Sequence, residues 1–401
     1  MKVLQIFVIC FVIAFIGCEQ SKAEYTIGAI YNLEGSQASL DSASAKGAEL
    51  AVQVINARGG INGKKLRLVL EDGKSDPIVI KRATEKLITD ENVPVIIGFS
   101  DTDMVLASAP IAAENNVIFI TSGATSPKLP QQVTTYLYLS CFGDNVQAAV
   151  LAEYAYSRLG LASCYVLTDE NMDFTRLLSK YFIYRFTELG GKVIRNTVFK
   201  GGENDITTAI QEIKTMEPQP AMLFVSAGPD DVGNIIYQLR QASITQPICG
   251  GDSYDTPLLV ETAGEYADDI YFATHFMIEE YTDEIYFTSP PVDEQEYSEQ
   301  VIMEFITAYK NTFGSFPPSS FAALGYDAVM LVAEMYKRAA SLDPAELLST
   351  LSHIRDFSGV TGTLSYNADQ RIPQKGVTLI KIKDGELIFL ESLVPSKVPE
   401  P

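Results

Sequence analysis

Apolar positions along this chain fall into two patterns. Some are short continuous runs rich in β-branched residues; others recur at helical spacing over longer stretches. Between residues 93 and 126 the two patterns meet. Residues 93–98 and 117–121 are apolar runs of the kind that form strands buried on both faces of a parallel sheet. Between them, 104–116 carries Met, Val, Leu, Ala and Ile at helical spacing, with Thr102 or Asp103 placed to cap the helix. This is one βαβ unit. Its polar loops, 99–103 and 122–126, follow the carboxyl ends of their strands. Open α/β sheets receive ligands at that edge, where helix N-termini attract anions.

The same alternation continues on both sides. A strand over 25–32 and a small, flexible loop through Ser44 precede a helix over 46–57. There Ala48, Leu50, Ala51, Val54 and Ile55 share one face, and Gly59-Gly60 ends it. Strand 66–71, helix 78–89, strand 136–140 and a helix over 144–159 capped by Asp144 complete a first series. A second series follows, with strands 163–168, 192–199, 221–226 and 247–250 separated by helices 174–189, 205–216 and 232–242. Repeated βα units imply parallel sheets covered on both faces, and two series either side of about Gly143 imply two similar lobes. Stretch 279–300 is acidic and turn-prone and reads as a solvated excursion, while 393–401, with three prolines, reads as a loose tail. Helices over 299–313, 320–340 and 344–355 lie between them, with a strand pair, 376–383 and 386–393, around the hairpin dipeptide Asp384-Gly385.

The chain has 401 residues and a formal charge of −21. That length suits two domains, and the acidity argues against nucleic acid or an anionic membrane surface as partner. Lys2 precedes an apolar run over 3–16, too short to span a bilayer and suited to a signal segment, so 1–23 reads as an export signal. Two cleavage readings stand. Phe15-Ile16-Gly17-Cys18 has the form of a lipobox, which would lipidate Cys18 and anchor the mature chain to the membrane. Ser21-Lys22-Ala23 has the small-x-small form that would release a protein starting at Glu24. Cys141, Cys164 and Cys249 sit in or beside apolar runs and read as buried thiols; export would allow one disulfide among them.

Catalytic signatures are weak. Gly251-Asp252-Ser253 looks like the nucleophile block of a GDSL-type hydrolase, but it comes late, and neither His275 nor His353 follows an Asp by three residues. The sequence has no HExxH, no Walker lysine loop and no Gly-x-Gly-x-x-Gly after the first strand, and 169–173 lacks the Gly and closing Glu of an EF-hand. The chain reads as a non-enzymatic protein without cofactor or metal.

INARGGINGKKLRLVLEDGKSDP (55–77), VIIGFSDT (95–102), FITSGATSPKL (119–129) and GGENDITTAIQEIK (201–214) occur in this order, followed by QLRQASITQPICGGD and FAALGYDAV. Together they resemble the leucine/isoleucine/valine-binding family, the type I periplasmic solute-binding proteins of branched-chain amino acid ABC transporters. The resemblance implies an α/β protein of two Rossmann-like lobes joined by three crossovers. The N-lobe would be 24–142 plus 275–374, the C-lobe 143–274 plus 375–393, and 394–401 a tail. It implies an exported receptor, periplasmic or lipid-anchored, that closes on a small ligand and delivers it to an ABC permease. A ligand-sensing protein of the same fold, reporting to a regulator, is the alternative.

The resemblance also assigns a pocket. Thr102 would hold a ligand α-carboxylate, Gly123 and Thr125 would take carboxylate and ammonium, Asp252 would pair with the ammonium, and Phe321 would pack on the side chain. Asp173 stands where the family has a tyrosine, and Leu40 where an aromatic is common. Asp101 and Asp103 flank Thr102 where small neutral residues are usual. A carboxylate next to an anion site costs about 1–4 kcal/mol at short range. These two therefore either face solvent or belong with a ligand less anionic than a simple amino acid. Asp252 and Asp173, with Asp101, form a cation-accepting arc opposite Thr102, Gly123 and Thr125. An amino acid or its amide is the expected ligand. A plain branched aliphatic one ranks lower, because Leu40 and Asp173 replace two covering aromatics.

Overall fold

The computed structural model describes residues 24–203, 205–281, 284–287, 295–367 and 369–401. The chain begins as βα units: β1 (Tyr25–Tyr31), α1 (Ala38–Ala57), β2 (Leu66–Asp72), α2 (Pro77–Thr89), β3 (Val95–Gly98), α3 (Thr102–Glu114), β4 (Ile118–Thr121), α4 (Leu129–Gln132) and β5 (Leu137–Leu139). A second series follows: α5 (Asp144–Glu153), β6 (Ser163–Asp169), α6 (Asp173–Glu188), β7 (Lys192–Phe199), α7 (Thr207–Thr215), β8 (Met222–Ser226), α8 (Val232–Gln241), β9 (Ile248–Gly250), α9 (Pro257–Ala263) and β10 (Ile270–Thr274). The rest comprises β11 (Ile278–Tyr281), β12 (Glu284–Phe287), α10 (Gln295–Phe313), α11 (Ser320–Arg338), α12 (Pro344–Ser352), β13 (Phe357–Gly359), β14 (Gly362–Leu364), β15 (Val377–Lys383) and β16 (Glu386–Leu393).

Two main sheets result. The first has the order β2-β1-β3-β4-β5, all parallel. The second runs β16-β15-β10-β9-β8-β6-β7, parallel except where β15 pairs with β10 and β16. Central strands β3, β4, β8 and β10 are buried along their whole length, as βα crossovers on both faces require. The chain passes from the first sheet to the second after β5 and comes back after β10, because α10 and α11 pack in the first sheet's core. It returns to the second sheet at β15. This is an α/β fold of two Rossmann-like lobes joined by three crossovers.

Helix α1 starts well before the expected 46, and no flexible loop reaches Ser44. The small residues there serve packing. A Cβ on Gly47 would lie 1.8 Å from the Ala322 carbonyl oxygen, and one on Gly325 1.9 Å from that of Ser44. Helices α1 and α11 therefore meet backbone to backbone, and Ser44 Oγ donates to Phe321 O at 3.0 Å. Helix α5 follows Gly143, in extended conformation, and has no side-chain cap; Asp144 is its first helical residue. Its continuation, Tyr154–Arg158, widens into a π turn.

The tail is docked, not loose. Ser396 donates through N and Oγ to Glu153, Lys397 pairs with Glu188, and Asn145 Nδ2 donates to Pro399 O at 2.8 Å. Pro395 and Pro399 are buried. Lacking an N–H, they can be covered without stranding a donor. The acidic stretch contains the antiparallel pair β11–β12, and α10 starts at Gln295 rather than 299; residues 282–283 and 288–294 lie outside the described residues. Asp384 and Gly385 both take positive φ in the β15–β16 turn, as a two-residue hairpin of this type requires. Cys141, Cys164 and Cys249 are free and buried. Cys18 and the rest of 1–23 lie outside the described residues. Among the described residues no helix is long and apolar enough to cross a membrane.

Candidate functional site

The carboxyl end of β3 is shaped by two tight constraints. Gly98 has no room for a Cβ, which would sit 2.0 Å from Ile30 O. Phe99 then takes φ +58°, a left-handed conformation uncommon outside glycine. This turns its carbonyl toward the next loop, where it accepts from Thr121 Oγ1 at 3.0 Å and Gly123 N at 3.1 Å. The two loops after β3 and β4 are thereby locked together. Behind them, buried Asp41 accepts from Ser100 N at 2.8 Å and from Asn32 N and Nδ2. Burial pushes Asp41 up to about 6 despite these donors.

Asp101, not Thr102 or Asp103, caps α3: its Oδ1 accepts from Met104 N at 3.1 Å. Asp101 is only 2% exposed, so it does not face solvent. Burial, with Asp103 and Asp41 nearby, pushes its carboxyl up to about 7. Its Oδ2 and Thr102 Oγ1 are buried without a hydrogen-bond partner, while the Ser100 side chain lies against Asp41 and works to hold that carboxyl down. Asp103 Oδ2 accepts from Asp173 N at 3.1 Å, joining the start of α3 to the start of α6. The Asp173 carboxylate is held by Arg176 at 2.8 Å.

A second cluster faces this loop. Thr125 Oγ1 donates to Asp144 Oδ1 at 2.6 Å, and Gln147 Nε2 bridges Asp144 Oδ1 and Asp252 Oδ1 at 3.1 and 3.0 Å. Gln147 Oε1 accepts from Asp252 N. Burial pushes Asp144 well above the ordinary carboxylate range, with the Thr125 hydroxyl working against the rise. Asp252 Oδ2 lies 3.0 Å from His275 Nε2. Burial lowers the His275 pKa. The neutral ring then carries its hydrogen on Nε2, donated to Asp252, and Nδ1 is an acceptor without a partner. His275 stacks on Phe142 at 3.9 Å and meets Phe321 edge-on at 6.0 Å. Asp255 Oδ2 accepts from Ser320 N, tying the same loop to the start of α11. Ser253 Oγ donates to Ala227 O and His275 faces Asp252, so the two form no nucleophile–base pair.

Between the two clusters lies a cavity of about 10 Å³, room for one water. Leu40, Ser100, Asp101 and Phe321 line one side; Met172, Phe174, Pro229, Asp252 and Ser253 line the other. Three residues singled out from sequence, Asp101, Asp252 and Phe321, thus converge on it. Thr102 sits behind Asp101. Gly123 abuts the Phe321 ring, where a Cβ would come within 2.9 Å, and its N–H is taken by Phe99. Thr125 reaches Asp252 only through Asp144 and Gln147. Asp173 does not line it; its N–H is held by Asp103 and its carboxylate by Arg176. Sequence reasoning missed Asp41, Ser100, Asp144, Gln147, His275, Met172 and Phe174. Asp144 had been assigned a capping role, and His275 and Gln147 carry no motif of their own.

The profile of the periplasmic binding protein family matches residues 24–386. The chain belongs to this family. Among its relatives, the Leu/Ile/Val-binding protein homolog 1 of Brucella abortus is 25% identical over 379 residues, covering 93% of this chain and 94% of that protein. The branched-chain amino acid transporter substrate-binding protein LivJ of Streptococcus pneumoniae, solved in complex with isoleucine, is 29% identical with a TM-score of 0.82, over 93% of this chain and all of that one. The leucine-binding protein LivK of Thermotoga maritima is 28% identical with a TM-score of 0.81, over 92% and 99%.

Proposed function

We propose that this chain is an exported, non-enzymatic receptor that captures a small amino acid or its amide between its lobes and delivers it to an ABC permease of the branched-chain amino acid type. The lobes are 24–142 plus 275–374 and 143–274 plus 375–393, hinged at the crossovers. A signal within 1–23 directs export, with cleavage either at Cys18, whose lipidation would anchor the mature chain, or after Ala23, which would release it. The observation that carries this reading is the convergence of Asp101 and Asp252, one from each side, with Leu40, Met172, Phe174 and Phe321 around them, on a gap that holds one water as it stands and widens for a ligand as the lobes part. Such a site grips an ammonium at a polar end and covers an apolar side chain. LivJ with isoleucine and the leucine-binding LivK support the substrate class.

Closure follows from differential contact: a ligand touching both walls stabilises the closed arrangement over an open one. The test is calorimetric titration with L-amino acids and their amides, alongside solution scattering. Binding with a fall in radius of gyration is expected. The Asp252→Asn variant should lose about 2–5 kcal/mol of binding, as for a desolvated charge pair. A panel in which nothing binds, or affinity unchanged in Asp252→Asn, would falsify the reading.

A further inference from the structure

Strands β9 and β10 run side by side in parallel register, with Gly250 opposite Phe272. The turn after β9 and the residue after β10 therefore emerge at one sheet edge, where Asp252 meets His275. Each oxygen of the Asp252 carboxylate has a fixed donor there. Gln147 Nε2 holds Oδ1 at 3.0 Å while its Oε1 takes Asp252 N, and His275 Nε2 stands 3.0 Å from Oδ2. The His275 side chain is fully buried, stacked on Phe142 and edge-on to Phe321. Asp252 lines the cavity and His275 does not, so the ring acts on a ligand only through the carboxylate. Were the hydrogen on Nδ1, Nε2 would set a lone pair against Oδ2; the neutral ring therefore donates to Asp252. An imidazolium would leave a second N–H at Nδ1, which is buried without a partner. Asp255, from the same turn as Asp252, and Lys375, from the approach to β15, are the other charged groups that face the ring.

Resting on the receptor reading above, we propose that His275 is the positioning residue of the site's ammonium end: its neutral Nε2–H fixes Asp252 for a ligand ammonium, and protonation of the ring weakens that grip. With Oδ1 tied to Gln147 and Oδ2 to His275, the carboxylate is held in one orientation, and its remaining lone pairs stay open to a further donor. A neutral donor suits this task, because it orients the anion without cancelling its charge. An imidazolium in the same place would pair with Asp252 and set a second cation beside the ligand's own in a buried site. Ring proton and ligand ammonium thus oppose one another, and by linkage each lowers the affinity for the other.

Two variants separate positioning from packing. His275→Gln keeps an N–H able to reach Oδ2 and takes no proton, whereas His275→Leu fills the space without a donor. Wild type and both variants are titrated with L-leucine, L-isoleucine, L-alanine and L-leucinamide from about pH 7.5 to about pH 4.5, with thermal melts to confirm folding. For the best-bound probe at about pH 7.5, His275→Leu should bind about tenfold more weakly than wild type, and His275→Gln should recover most of that loss. As pH falls, wild type should lose about tenfold or more relative to His275→Gln, since burial lowers the His275 pKa and the ring takes up its proton on the acid side. Asp101, at about 7, titrates in both proteins and drops out of that comparison. Wild-type and His275→Gln curves that run parallel, or a Gln variant that binds as weakly as the Leu variant, overturn this proposal and leave the receptor reading standing. No binding by any member of the panel overturns both.

Discussion

At the scale of single residues, the site holds more carboxylates than its surroundings can comfortably charge. Asp101 shows the consequence. Its carboxyl sits at about 7 in the folded chain, against about 4 for an unfolded Asp. It faces Asp41 from α1 and Asp103 from its own helix, with Asp173 and Arg176 beyond them on α6 and Asp252 across the cavity. Below about pH 4 both states hold the proton, and the group contributes no difference. Between there and about pH 7 the unfolded chain releases it first, so the ligand-free fold loses stability as pH rises. Asp101→Asn should therefore melt higher than wild type at about pH 8, by on the order of 2 kcal/mol, and alike at about pH 4. Thermal melts of both proteins across that window check it; parallel curves would count against Asp101 as the cause. The sequence showed the acidic pair around Thr102 as an anomaly but could not say which way it pointed. Burial of Asp101 decides that, and burial depends on α1 and α11, far along the chain. The same holds for His275, which reads as an isolated histidine until the second crossover places it against Asp252.

At the scale of elements, periodicity located most strands and helices, because buried parallel strands and amphipathic helices carry their own pattern; it passed over the short α4 and α9 and the strands β10 to β14, the fully buried β10 among them. It failed where small residues were packed rather than flexible. The stretch up to Ser44 reads as a flexible loop by composition, yet from Ala38 it is the first part of α1, where α11 crosses it. Gly325→Ala weighs the two opposed effects. Alanine in a helix interior gains about 1 kcal/mol in propensity over glycine. Its Cβ, however, would lie 1.9 Å from Ser44 O, a backbone atom that can move only if the helices separate. Overpacking of this kind costs about 1–3 kcal/mol or more. The substitution should lower the melting temperature and, because Phe321 rides on the same crossing, weaken ligand binding as well. Calorimetric melts and a titration test both halves. An equally stable variant would show that the helices yield without cost. The tail failed for a related reason: its prolines suggested looseness, whereas the partners that dock it, Glu153, Glu188 and Asn145, lie more than 200 residues away in sequence.

At the scale of the whole molecule, the two lobes touch through a few polar ties, among them Asp103 with Asp173 N and Asp255 with Ser320 N. Opening would break a handful of hydrogen bonds and leave each core intact, so ligand-driven closure need not disturb either lobe's fold. The cysteines illustrate how sealed those cores are. Cys141 and Cys164 are fully buried, Cys249 is 2% exposed, and burial raises all three thiols above their usual range. A thiol-reactive reagent should leave these three untouched in the native chain and modify all of them in denaturant, read by intact mass; rapid native labelling would contradict their placement. For the described residues, then, nothing native competes for a maleimide dye. One cysteine introduced on an exposed position near the mouth of the cavity can carry an environment-sensitive fluorophore without prior removal of Cys141, Cys164 or Cys249. The protein is in this respect already a chassis for an optical biosensor of whatever it binds.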